Sequence, residues 1–157
     1  MKFQFINIGK PHDEHLKDAI NDFTKRINNY FKLEWIIIPP LKNAASLSAN
    51  NLKENEGLSL LSKINADDFL ILLDETGKQL SSVELSSFIG QKATASTRSI
   101  IFLIGGAYGV SDAIKQRANF TWSLSKLVFP HMIVRLILAE QVYRACTILR
   151  NEKYHHI

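Results

Sequence analysis

Three glycines stand close together in "IGGAYG", residues 104–109, directly after the run Arg98 to Leu103, which has the composition of a buried strand. Glycines at the end of a strand often bare backbone N–H groups to a phosphate seated at the start of the next helix. A dinucleotide fingerprint, however, wants G-x-G-x-x-G in the first strand-to-helix turn, and a P-loop wants Lys-Ser/Thr after its last glycine. Here the spacing is G-G-x-x-G, the loop follows the fourth strand, and Val110 and Ser111 come after Gly109. Neither phosphate chemistry fits. The glycines alone leave two readings open: a tight turn that uses positive φ, or a backbone wall for a ligand without phosphate.

A second stretch, "SLSKLVFP" from Ser123 to Pro130, alternates polar and apolar residues and stops at a proline. Alone it reads as an edge strand ending before a helix. It also begins at the end of a strand, and ligands of open α/β sheets sit at the carboxyl ends of strands.

The third group lies on "HMIVRLILAEQVYRA", from His131. Its apolar residues go nearly all the way round, which predicts a core helix or half of a subunit interface. Glu140 and Arg144 have the i,i+4 spacing of a helix ion pair. Arg135, among apolar neighbours, needs a carboxylate or a phosphate as partner. The closing "YHH", Tyr154 to His156, reads most simply as a solvated tail. His12 and His15 bracket Asp13 and Glu14 but have no third ligand group, so no metal site is expected. Asp74 and Glu75 read as strand-end acids, and Cys146 as core.

The elements that must position these groups follow from periodicity. Lys2 to Ile8, Leu33 to Ile38, Asp68 to Asp74, "SIIFLIG" and "FTWSLS" predict five strands; "ETGK", starting at Glu75, predicts a turn. Helices are expected over His12–Asn29, Leu47–Ile64, Ser82–Lys92 (capped by Ser81 or Ser82), Asp112 to about Ala118, and His131–Leu149. Strands alternating with helices predict an α/β fold, a mostly parallel sheet flanked by helices, in one domain over residues 1–157.

Composition narrows the class. The chain has 157 residues, 46% hydrophobic and 22% charged, as in an ordinary globular protein. One cysteine excludes an internal disulfide and a zinc site of several thiolates. No secretion signal or membrane span is indicated, so a cytoplasmic protein is expected. Charge is uneven: residues 1–114 carry 12 Lys+Arg and 13 Asp+Glu, whereas residues 115–157 carry 7 and 2. A basic C-terminal segment favours an anionic partner such as nucleic acid.

Taken together, "LIGGAYG", "SLSKLVFPHMIVRLILAEQVYRA" and "YHH" resemble the SPOUT class of RNA methyltransferases, and more narrowly the ribosomal RNA large-subunit methyltransferase H family. "MKFQFINIGK" and "LLDETGKQLSS" extend the resemblance over essentially the whole chain. It implies a C-terminal trefoil knot, S-adenosyl-L-methionine as methyl donor, and methylation of N3 of a pseudouridine in 23S rRNA of the assembled ribosome by a homodimer. The family motifs map the donor site onto Leu73, Gly105, Leu124, Ser125, Lys126, Leu127, Val128 and Phe129. Tyr154 and His155 are expected to reach the substrate base, and Arg135 or Arg144 to contact phosphate or base carbonyls. The alternatives are another rRNA or tRNA position, or a ribosome-binding factor of the same fold that has lost the reaction. A methyl donor has an adenine to bury and a sulfonium to tolerate but no phosphate, which agrees with a glycine wall lacking a Walker lysine.

Overall fold

The computed structural model describes residues 1–156. Five strands, β1 (Lys2–Ile8), β2 (Lys32–Ile38), β3 (Phe69–Gln79), β4 (Ser99–Ile104) and β5 (Phe120–Ser123), form one sheet in the order β2-β1-β4-β3-β5. Every strand pair is parallel. The helices are α1 (Glu14–Ile27), α2 (Ala49–Leu61), α3 (Ser82–Thr94), α4 (Asp112–Arg117) and α5 (His131–Leu149), with a short 3-10 turn at Ala44–Ser46.

The period-2 alternation of the central strand β4 divides the core. Ile100, Phe102 and Ile104 face a cluster with Ile27, Leu85, Ile89, Leu138 and Val142, which lie on α1, α3 and α5. Ile101 and Leu103 face the other side, with Leu60 of α2 and Ile114 of α4. Because both faces of β4 are covered, all six of its residues are buried. Helices therefore cover the sheet on each side, as the alternating pattern predicts.

Local signals set most boundaries. Ser81 and Glu84 form a reciprocal capping box at the start of α3. Asp13 caps α1 by accepting from the His15 amide, so that helix begins at Glu14 rather than at His12. The second helix is shorter than expected, because the 3-10 turn takes Ala44–Ser46 and Ser48 caps α2 through the Asn51 amide.

The largest departure concerns "ETGK". It is not a turn that ends a strand: β3 continues through it to Gln79. Leu73 and Lys78 both register with Trp122 of β5, so residues 74–77 bulge out of the ladder between them. Gly77 permits the return. A Cβ there would lie 2.7 Å from the backbone of Thr121 and 2.8 Å from that of Trp122. The expected fifth strand also shortens, ending at Ser123, where the Ser123 hydroxyl donates to the Ser125 carbonyl and turns the chain.

Candidate active site

The carboxyl ends of β3, β4 and β5 open into one cavity of about 630 Å³. Each strand delivers a different wall. β4 leads into Gly105 and the glycine turn, in which the Gly109 amide donates to the Gly106 carbonyl at 3.0 Å and Gly109 takes φ +81°. At Gly105 a Cβ would meet the Val110 side chain at 2.9 Å, so the backbone itself forms the wall there. β5 leads into Leu124, Ser125, Leu127, Val128 and Phe129, which line the opposite side. The Ser125 hydroxyl accepts from the Leu127 amide at 3.0 Å and shapes that loop. β3 supplies Leu73, and its bulge adds Asp74, Glu75 and Thr76 to the rim.

Of the residues the sequence singles out for the donor, Leu73, Gly105, Leu124, Ser125, Leu127, Val128 and Phe129 all line this cavity. Lys126 does not; it is exposed on the loop. Gly105 and its neighbours thus form one wall of the cavity as well as a turn.

The cavity also gathers residues that the sequence did not single out as site residues: Lys53 of α2, Lys115 of α4, Trp122, Tyr108 and His131. No spacing signal connects Lys53 to the glycine turn, since only tertiary packing makes them neighbours. Trp122 is 3% exposed and its indole N–H has no hydrogen-bond partner, an orphaned donor within a cavity wall. Asp74, read from sequence as a simple strand-end acid, accepts from the Thr76 amide at 2.9 Å and from its hydroxyl at 2.6 Å. Burial alone would raise the Asp74 carboxyl. The Thr76 hydrogen bonds and the charge of Lys115 outweigh it and hold the group below the usual carboxylate range.

The four residues expected to act on the substrate lie outside this lining. Three of them form a cluster of their own. Glu140 accepts from the Arg144 guanidinium and, at 3.1 Å, from the Tyr154 hydroxyl. Arg144 stacks over the Tyr154 ring at 4.7 Å, and its Nη1 lies 3.4 Å from His155 Nδ1. The i,i+4 ion pair is therefore also a clasp that docks the tail, and Tyr154 is packed against Tyr143 rather than solvated.

Arg135 is separate. It is 1% exposed, and no carboxylate meets it among the described residues. Instead its Nη1 donates to the Lys10 carbonyl at 3.0 Å and approaches His12 Nδ1 at 3.3 Å, fastening the loop after β1 to α5. The partner the sequence demanded is thus a backbone carbonyl. Burial foremost, then Arg135 and Lys17, lower the His12 pKa, so the neutral ring accepts from the guanidinium. Because the folded state resists protonating His12, its contribution to stability is complete above the unfolded value of about 6.5. That contribution is lost as pH falls from there through the lower folded value. In an NMR titration of ring nitrogens, His12 should stay neutral to lower pH than a free imidazole side chain; titration at the ordinary value would refute the contact.

No group of three or more His, Cys, Asp or Glu side chains stands together as a metal site among the described residues. No helix is long and apolar enough to cross a membrane among those residues. Cys146 is buried, and desolvation pushes its thiol up to about 12, which makes it inert.

A family model described as "Predicted SPOUT methyltransferase" matches residues 1–155. The chain is 46% identical over 156 residues to a Flavobacterium johnsoniae protein named ribosomal RNA large subunit methyltransferase H, with 99% of each chain covered. A protein of the same name from Cytophaga hutchinsonii is 45% identical, over 99% of this chain and 100% of the relative. A crystal structure of a probable methyltransferase from Bordetella pertussis Tohama I superposes with a TM-score of 0.54 at 11% identity, covering 92% of this chain and 96% of that one. It supports the fold. The glycine turn and the loop after β5, brought together around one cavity, are where the sequence resemblance placed the donor site, and with a full-length family match the chain belongs to the SPOUT methyltransferase family.

Proposed function

We propose that the protein is an S-adenosyl-L-methionine-dependent methyltransferase of the cytoplasm that methylates N3 of a pseudouridine in 23S rRNA of the assembled ribosome. The observation that carries this reading is the convergence of Leu73, Gly105 and the Leu124–Phe129 loop on one cavity. The residues present suit the donor. Apolar walls from Leu73, Leu124, Leu127 and Phe129 match a buried adenine. The anionic rim at Asp74 tolerates a cation. The full-length relatives named as ribosomal RNA methyltransferases support the substrate class.

When bound, S-adenosylmethionine supplies a methyl group already activated on a sulfonium, so the protein's task is chiefly positioning. As the N3–methyl bond forms and the methyl–sulfur bond breaks, the substrate must also lose its N3 proton, which passes to solvent water, as negative charge spreads over the imide. His155 suits the role of stabiliser. With Arg144 Nη1 directed at Nδ1, Nε2 is the ring nitrogen free to donate to a developing carbonyl anion. Arg144, itself fixed by Glu140, holds that ring in place.

A homodimer belongs to the same proposal. Within one protomer Tyr154 and His155 do not line the donor cavity, so a second chain is needed to join the two parts. The half-buried Met132, Ile133, Leu136 and Ile137 on α5, with Leu127 68% and Val128 81% exposed beside the cavity, offer an apolar face for it. The knot is also part of this reading: the loop after β5, its continuation into α5 and the glycine turn crowd one cavity, the neighbourhood a threaded crossing requires.

Isothermal calorimetry should detect stoichiometric binding of S-adenosylmethionine, and mass mapping of 23S rRNA should lose one methyl group on deletion of the gene. Absence of heat would remove the donor site. Heat without a lost methyl group would leave a binding factor of this fold.

A further inference from the structure

Tyr108 is the one large aromatic side chain left open at the cavity among the described residues: it lines the cavity and is 63% exposed. An exposed ring on a floppy loop would mean little, but this one stands at the tip of a closed turn, between the Gly106 carbonyl and the Gly109 amide that bonds to it. A Cβ on Gly109 would meet nothing within 4 Å, so the turn is open on the side next to Tyr108, while its base at Gly106 packs against Glu56. Two cations line the same cavity, Lys53 from α2 and Lys115 from α4. An exposed aromatic face beside two lysines is the chemistry that receives an unstacked base together with its phosphates.

Resting on the reading of the cavity as the methyl-donor site, we infer that Tyr108, Lys53 and Lys115 form the RNA-receiving lip of that cavity. Tyr108 offers a stacking face to the target base or its neighbour once drawn out of the RNA stack, and the lysines hold flanking phosphates. An enzyme acting on a base edge must expose that base, and stacking on an aromatic ring offsets part of the lost base stacking. The lysines position without reading sequence. Specificity then comes from the ring and the cavity beyond it.

The test uses the full-length protein with ribosomes from cells lacking the gene, in two assays: methyl transfer from labelled donor, and donor affinity by calorimetry without RNA. Tyr108→Ala should raise KM for ribosomes roughly tenfold, with donor affinity within about twofold of the parent, and Tyr108→Phe should restore the parent behaviour. Lys53→Ala and Lys115→Ala should each reduce the slope of log kcat/KM against log salt by about one. Donor affinity falling in parallel with KM in Tyr108→Ala would overturn the inference by making the ring a donor wall. Unchanged KM and unchanged salt slopes would overturn it by showing that RNA enters elsewhere. An inactive parent that binds no donor would instead defeat the functional reading, a separate result.

Discussion

Replacing Gly77 with alanine will destabilise the protein by about 3 kcal/mol, the upper range for forcing a methyl group into a close-packed site. For a chain of this size that is a fall in Tm of roughly 8 °C. The added Cβ would stand 2.7 Å from the backbone carbonyl of Thr121, and main chain cannot swing aside as a side-chain tip can. Relief requires β3 and β5 to part between Leu73 and Lys78, where the ladder is already interrupted. Since Asp74, Glu75 and Thr76 form the cavity rim on that bulge, donor affinity should fall in the same variant. Thermal unfolding and calorimetry check both effects. An alanine variant with parental Tm would show that the bulge absorbs the methyl group.

Replacing His155 with alanine should lower the single-turnover methylation rate about a hundredfold, the lower range for losing a group that assists proton removal or stabilises the anion formed. Donor binding should not change, because His155 is absent from the cavity lining. Mixing provides a second readout. A His155→Ala chain combined with a chain whose glycine turn is displaced by Gly105→Val, which drives a side chain against Val110, should regain activity if the two parts of the site come from different subunits. A mixture as inactive as its components would confine catalysis to one chain, and an unchanged rate in His155→Ala would remove the imidazole from the chemistry.

Much of the fold is legible in the sequence for an identifiable reason. The runs that became β3 and β4 are apolar on consecutive residues, which only strands covered on both faces require, and the fold provides helices on both. The boundaries of α5, His131–Leu149, follow directly from Pro130 and the change to polar residues after Leu149. The bulge at residues 74–77 was hidden because Glu-Thr-Gly-Lys has the composition of a turn. What decides otherwise is the backbone of Thr121, more than forty positions away in the chain.

The two loops that line the cavity were legible through family motifs, whereas their companions were not. Lys53, Lys115 and Trp122 reach the cavity through packing of α2, α4 and β5, which no local spacing encodes. The tail gave a different lesson. Tyr154 and His155 read as solvated by position, yet Glu140 and Arg144 hold them, and the i,i+4 pair was visible without its second role. Arg135 shows the same limit, because a demand for a partner can be read from sequence while the Lys10 carbonyl that meets it cannot.

The bulge on β3 separates what the fold needs from what the site can vary. Asp74, Glu75 and Thr76 line the cavity while standing outside the β3–β5 ladder, so none of the three has a register partner to lose on β5. Gly77 beside them is fixed by a neighbouring backbone. The rim can therefore be retuned most freely at Glu75, while the Asp74–Thr76 hydrogen bonds and the close backbone approach at Gly77 keep the bulge in shape.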